Sequence, residues 1–159
     1  MSTQQAKHIP RKMLVLSFTS LALIYTIMLI GVYITSSHQG LSCPDWPLCP
    51  NGLGIPASEY LFEHLHRMLV IITSGLIIAT AIYAHINAKT VSTTAIIAAV
   101  IVIIQIFLGM IMIYSKLNAL IVASHLATGI LLFAMLLLTF ISSYRERKNS
   151  LVNEDIQKI

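Results

Sequence analysis

Four long apolar blocks decide what this chain can become, because each supplies the ~20 residues needed to cross the ~30 Å hydrocarbon layer of a bilayer. They predict helices over 13–34, 58–86, 91–114 and 117–142, with one long loop, 35–57, between the first two. The apolar residues come in runs rather than at the spacing of an amphipathic soluble helix. With 57% hydrophobic and 10% charged residues, no soluble core explains the pattern. The expected fold is all-α: a polytopic membrane four-helix bundle, a single membrane domain over 1–159 with the lipid bilayer as its surroundings. The first block follows Lys7, Arg11 and Lys12 as a signal peptide would. It is too long for a signal h-region and lacks a small-residue cleavage site, so it reads as a retained helix.

Basic residues set the expected topology, since Lys and Arg near helix ends accumulate on the cytoplasmic side. Lys7, Arg11 and Lys12 precede the first helix, Lys89 lies in the turn between the second and third, and Arg145, Arg147 and Lys148 follow the fourth. The other side holds only Arg67 and Lys116. Both termini are therefore expected in the cytoplasm, with loop 35–57 on the outer face of the cell membrane. The net charge of +4 is then a topology signal. No nucleic-acid partner is expected, because binding one would need a soluble basic face that the chain does not have.

On this topology helices two and four run in the same direction, and each carries a histidine in its outer half: His66 and His125. An ionisable group in hydrocarbon costs at least a few kcal/mol and persists where it meets a partner, a watery cavity or a cofactor. Each lies roughly 12 Å below the start of its helix at 1.5 Å per residue, so a pseudo-twofold axis along the membrane normal would make them face each other. Imidazole is the commonest side-chain metal ligand, and bundles hold cofactors between facing helices. Two ligands suit the axial positions of a haem iron better than a zinc site that wants three or four. Val70, Thr73 and Ser74 after His66, and Thr128 and Gly129 after His125, leave room for a flat ring. Small residues also serve ordinary helix packing, and two histidines hydrogen-bonded across the bundle are the competing reading. His64 diverges from His66 on a helix, whereas Glu59, Glu63 and His66 share a stripe. His8, His38 and His85 lie at a terminus, in a loop and at a helix end, and receive no role.

Glu63 stands one turn from His66 at the outer edge of the apolar region. Two readings are open: a proton acceptor, or an interfacial carboxylate facing water or paired with Arg67. Glu59, a turn further out, reads as solvated. The loop contains Cys43-Pro-Asp-Trp-Pro-Leu-Cys49 in a compartment that this topology makes oxidising. A disulfide would close a short loop stiffened by Pro44 and Pro47, contributing roughly 2–3 kcal/mol through loop-closure entropy. A structural staple and a redox relay are both compatible with these cysteines.

Taken together, these residues resemble the haem A synthase family. The run Gly40-Leu41-Ser42-Cys43-Pro44-Asp45-Trp46-Pro47-Leu48-Cys49, followed by Asn51-Gly52, is similar to that family's first extracellular loop. Glu63-His64-Leu65-His66-Arg67 resembles its Glu-x-x-His-Arg motif, Gln105 to Gly109 its Gln-x-x-x-Gly element, and Ser124-His125-Leu126 its second His-Leu element. The resemblance implies oxidation of a methyl group of haem O to the formyl group of haem A, for terminal oxidase assembly. It also implies His66 and His125 as axial ligands of haem iron (haem b, haem O or both), Glu63 as the residue assisting proton removal or positioning water, and Cys43 with Cys49 as a disulfide or electron relay. Haem O synthase and terminal oxidase assembly factors are the partners it brings to mind. Familiar members have eight helices in two homologous halves, and the four helices here resemble the substrate-handling first half. A homo-oligomer is therefore expected, unless one site does both jobs or a partner supplies the other half. Two rival functions share part of the same residues. A bis-histidine b-type cytochrome for electron transfer would use only the histidines, and a thiol-disulfide membrane oxidoreductase only the cysteines.

Overall fold

The structure is a computed structural model describing residues 11–50 and 52–157; Lys7, His8 and Asn51 lie outside the described residues. Four helices account for most of it: α1 Arg11–Ser36, α2 Leu61–Asn87 entered through a 3-10 turn at Ser58–Tyr60, α3 Lys89–Tyr114, and α4 Ala119–Gln157. All four are long and apolar enough to cross a membrane. The chain turns from α2 into α3 through Ala88 alone, and from α3 into α4 through Ser115–Asn118, so neighbours are antiparallel. α1 and α3 each pack on both α2 and α4, while α2 and α4 lie diagonally opposite and make no direct packing contact.

The fourth helix departs from expectation. It runs to Gln157 rather than ending near 142, because hydropathy reports where lipid contact stops and not where the helix stops. Beyond Ile141 the sequence turns to Arg, Glu and Lys, which are good helix formers in a polar medium.

The two hairpins repeat one another. Counting from the histidines, α2 buries Thr73, Ile77, Thr80 and Ala84, and α4 buries Leu132, Leu136, Thr139 and Ser143, the same four offsets in each. Met13, Ser17, Ser20 and Ile24 of α1 are buried, as are Val91, Ala95, Ala98 and Val102 of α3, at a constant separation along the chain. Hydroxyl pairs join the helices of each hairpin at matching depth, Ser20 Oγ to Thr80 Oγ1 at 3.4 Å and Thr139 Oγ1 to Thr94 Oγ1 at 3.0 Å. Even the ends match. His38 after α1 and Lys116 after α3 both take positive φ, 58° and 50°. In each case the following amide reaches back five residues, Gln39 N to Ile34 O at 3.0 Å and Leu117 N to Met112 O at 2.9 Å, the bonding of a Schellman cap.

The apolar core occupies the half of the bundle away from the long loop. Ile24, Ile27, Ile77, Ala98, Ile101, Val102, Leu132 and Leu136 form one cluster. Met13, Ala81, Ala84, Ala88, Val91 and Ala95 form another nearer the end, where alanines let α2 and α3 approach closely. The loop half is different: from Ile103 to Thr128 no residue of the α3–α4 hairpin is fully buried.

Candidate functional site

His66 and His125 lie in that half, on the two diagonal helices. Each ring rests against a glycine of the preceding helix. A Cβ on Gly31 of α1 would meet His66 Cε1 at 3.2 Å, and one on Gly109 of α3 would meet His125 Cε1 at 3.5 Å. Glycine at these two positions is what admits an imidazole between helices. Gly31 precedes His38, and Gly109 precedes Lys116, by the same seven residues, so the cradles belong to the repeat. The histidines are within electrostatic range of one another across the bundle. Both Nδ1 atoms are buried without a hydrogen-bond partner, so no hydrogen bond through Nδ1 joins the pair. The His66 ring also faces the backbone of Ile27, while His125 keeps polar capacity that the protein does not fill. No group of three or more metal-ligating side chains is found among the described residues, fewer than the three or four close ligands that a tetrahedral zinc site wants.

The neighbours expected to leave room behave unequally. Thr73 and Ser74 are buried with their hydroxyls unpartnered. Thr128 is instead engaged, donating to Gln105 Oε1 at 2.5 Å, while Gln105 Nε2 donates to the His125 carbonyl at 2.8 Å. Gln105 thus ties α3 to the turn of α4 that carries the histidine, and Gly129 lets it in, since a Cβ there would sit 3.0 Å from Gln105 Nε2. His64, 8% exposed, also has a buried, unpartnered Nδ1; what distinguishes His66 is its seat against Gly31 and its relation to His125.

Glu63 is 4% exposed, and both its oxygens are taken. Oε1 pairs with Arg67 Nη2 at 2.6 Å, while Oε2 accepts from Ser42 Oγ at 2.8 Å and from Cys43 N at 2.9 Å. Arg67 completes the clamp by donating to the carbonyls of Cys43, at 3.2 Å, and of Asp45. The Cys43–Cys49 disulfide closes the clamped segment. An ion pair this buried is viable only when its remaining donors and acceptors are satisfied, and here the loop backbone satisfies them. Gly40 continues the seal, because its missing side chain makes space for Leu117 of the opposite turn, whose Cδ1 lies 3.2 Å from where a Cβ would be. The α3–α4 turn and the long loop therefore close the same end of the bundle.

Sequence reasoning foresaw the Cys43–Cys49 disulfide and, as one of two readings, the pairing of Glu63 with Arg67. It missed Gly31, Ser42 and the part played by Gln105. The available signal was a lone glycine inside the apolar run of α1 and a glutamine inside that of α3, since both are out of place in hydrocarbon unless something packs against them.

The cytochrome oxidase assembly protein (COX15-CtaA) family model matches residues 52–158. Among curated relatives, the chain is 29% identical over 133 residues to a protein of Lysinibacillus sphaericus, covering 77% of this chain and 43% of that one. It is 28% identical over 159 residues to one of Shewanella oneidensis, covering 85% and 46%, and 34% identical over 116 residues to one of Listeria welshimeri, covering 68% and 38%. All three are named heme A synthase. The chain spans less than half the length of these relatives. A match across most of the sequence, carried by a four-helix bundle with opposed histidines, places the chain in the cytochrome oxidase assembly protein family, that of the haem A synthases.

Proposed function

We propose that this chain takes part in the oxidation of haem O to haem A, with His66 and His125 as the residues that would hold a haem iron in the loop half of the bundle. The observation that carries this reading is the pair of glycine-seated histidines, matched in depth on diagonal helices, each with a buried Nδ1 that has no hydrogen-bond partner. A bound haem, as b-type cofactor, as substrate or as each in turn, would supply the redox chemistry at its iron. The protein's share is binding, orientation and proton handling. Gly31 and Gly109 fix the imidazole planes, and Gln105 fixes the turn carrying His125. Glu63, one turn from His66, is the residue proposed to hold or accept a proton beside the haem, for which it would release part of the clamp; in its ionised form it holds the loop shut. A second four-helix unit, from another copy or from a partner chain, belongs to the proposal, as do haem O synthase and the terminal oxidase as neighbours in the membrane.

The proposed orientation puts both termini in the cytoplasm and the loop outside. Arg11, Lys12, Lys89, Arg145, Arg147 and Lys148 crowd one end of the bundle, while the other holds only Lys116 and Arg67, the latter already paired. An impermeant reductant that reached the loop disulfide only after cell lysis would reverse this orientation.

Expression in a host that makes haem O but lacks its own synthase tests the activity: extracted pigments should contain haem A by mass spectrometry. Glu63→Gln should keep the bound haem and lose most of the formyl product. Because Glu63 also anchors the loop, Ser42→Ala and Arg67→Ala are the necessary comparison. They loosen the loop but keep the carboxylate, and should retain more product than Glu63→Gln. Haem bound but never oxidised by the wild type, even with a partner unit supplied, would replace this reading with the electron-transfer cytochrome.

A further inference from the structure

At the end of the bundle opposite the loop, α1 and α4 part around a groove of about 390 Å³. Leu14 and Phe18 form one wall, Phe140 and Tyr144 the other, and Arg11 and Arg147 stand at its polar end. The Phe18 and Phe140 rings meet across it, 5.7 Å between centroids. Nothing in the haem site reaches here. Arg147 Nη1 is buried with no hydrogen-bond partner, and the one ion pair among the described residues, Glu63–Arg67, lies at the other end. A buried guanidinium nitrogen without an acceptor is costly, so this position calls for an anion supplied from outside the chain.

Depth and composition identify the source. Arg147 lies roughly 42 Å along α4 from Ala119 at 1.5 Å per residue, comparable with the ~40–45 Å of a bilayer including its headgroups. The two arginines therefore sit at headgroup level while the aromatic walls lie at the level of the acyl chains. A free anion would leave those walls uncovered, with Phe18 57% and Tyr144 56% exposed; a phospholipid covers both parts. Lys12, Arg145 and Lys148 stand beside the groove in sequence, so a headgroup with net negative charge is favoured over a zwitterion carrying a choline cation. We propose that the α1–α4 groove is a binding site for an anionic glycerophospholipid, whose phosphodiester is taken by Arg147 and Arg11 and whose acyl chain lies along Phe18 and Phe140.

The test uses the full chain in mild detergent, offered equal amounts of phosphatidylglycerol and phosphatidylcholine, with retained lipid read by native mass spectrometry. Phosphatidylglycerol should be retained preferentially. Arg147→Gln should weaken its retention roughly tenfold, as expected for loss of one charge-assisted contact, and Arg11→Gln should act in the same direction. Lys148→Gln removes the same charge outside the groove and should change retention little. Should Arg147→Gln not purify, Arg147→Lys keeps the charge but loses the forked donor geometry, and it must still lower retention. Equal retention of the two lipids, equal loss in Lys148→Gln, or displacement of phosphatidylglycerol by inorganic phosphate at matched concentration would overturn the proposal. The last result would mean that the arginines read a phosphate and not a lipid.

Discussion

Arg67 is the residue whose importance is least apparent from its type. An arginine after a membrane-facing histidine reads as an interfacial charge, and the pairing with Glu63 was foreseen as one of two readings because residues four apart share a helix face. The contacts with Cys43 and Asp45 were not legible, since they join a helix to a loop some twenty residues earlier and no local pattern encodes that. Removing one member of a buried ion pair strands the other, typically at a cost of about 3–5 kcal/mol. Here the stranded group would be Glu63, 5% exposed at its side chain, together with the loop carbonyls of Cys43, Asp45 and Pro47. The cheapest relaxation is for the loop to lift and let water reach the carboxylate. Arg67→Ala should therefore leave the helices intact but make the Cys43–Cys49 disulfide react much faster with an added reductant. Unchanged reduction kinetics in that variant would mean that the disulfide is protected by something other than this clamp.

Among the elements, α1 and α3 are the pair whose equivalence is hidden in composition and visible in bonding. Each ends in a Schellman cap whose left-handed residue is usually glycine, yet the positions hold His38 and Lys116. A side chain in that conformation costs about 1–2 kcal/mol, while glycine brings a penalty of roughly 0.5–1 kcal/mol through unfolded-chain entropy. The strain term is the larger, so Lys116→Gly and His38→Gly should each stabilise the protein, by up to about 1 kcal/mol. Thermal or denaturant unfolding in detergent measures this. Destabilisation by both would show that the side chains make contacts worth more than the strain. The helices themselves were legible because apolar runs of this length have few alternatives. The end of α4 was not, because its last turns lie past the apolar run that was used to place it. The caps were not legible either, as neither carries the glycine that announces such an ending.

For the whole molecule, the twofold repeat explains why two isolated histidines were sufficient to locate the site. Ionisable residues stand out in an apolar sequence, and helix direction follows from counting turns, so His66 and His125 could be matched in depth from spacing alone. What sequence could not supply was how the two rings are seated between helices. That depends on Gly31 and Gly109 each yielding space to the next helix, and on α2 and α4 taking the diagonal rather than adjacent places in the bundle. Pseudo-symmetry makes a sharp demand: if one haem iron sits between the histidines, neither can be dispensable, because each fills one axial position. His66→Ala and His125→Ala should each abolish the low-spin haem spectrum or convert it to a high-spin one. His64→Ala should leave it nearly intact despite removing a buried imidazole. Gly31 adds a finer distinction, because its contact with His66, 3.2 Å, is tighter than that of Gly109 with His125, 3.5 Å. Gly31→Ala should thus perturb the spectrum more than Gly109→Ala, through the tilt of the His66 ring. An unchanged spectrum in both histidine variants would end the shared-ligand assignment. Loss of the low-spin signal in His64→Ala with His66→Ala intact would move the ligand two residues along α2, away from the stripe that faces His125.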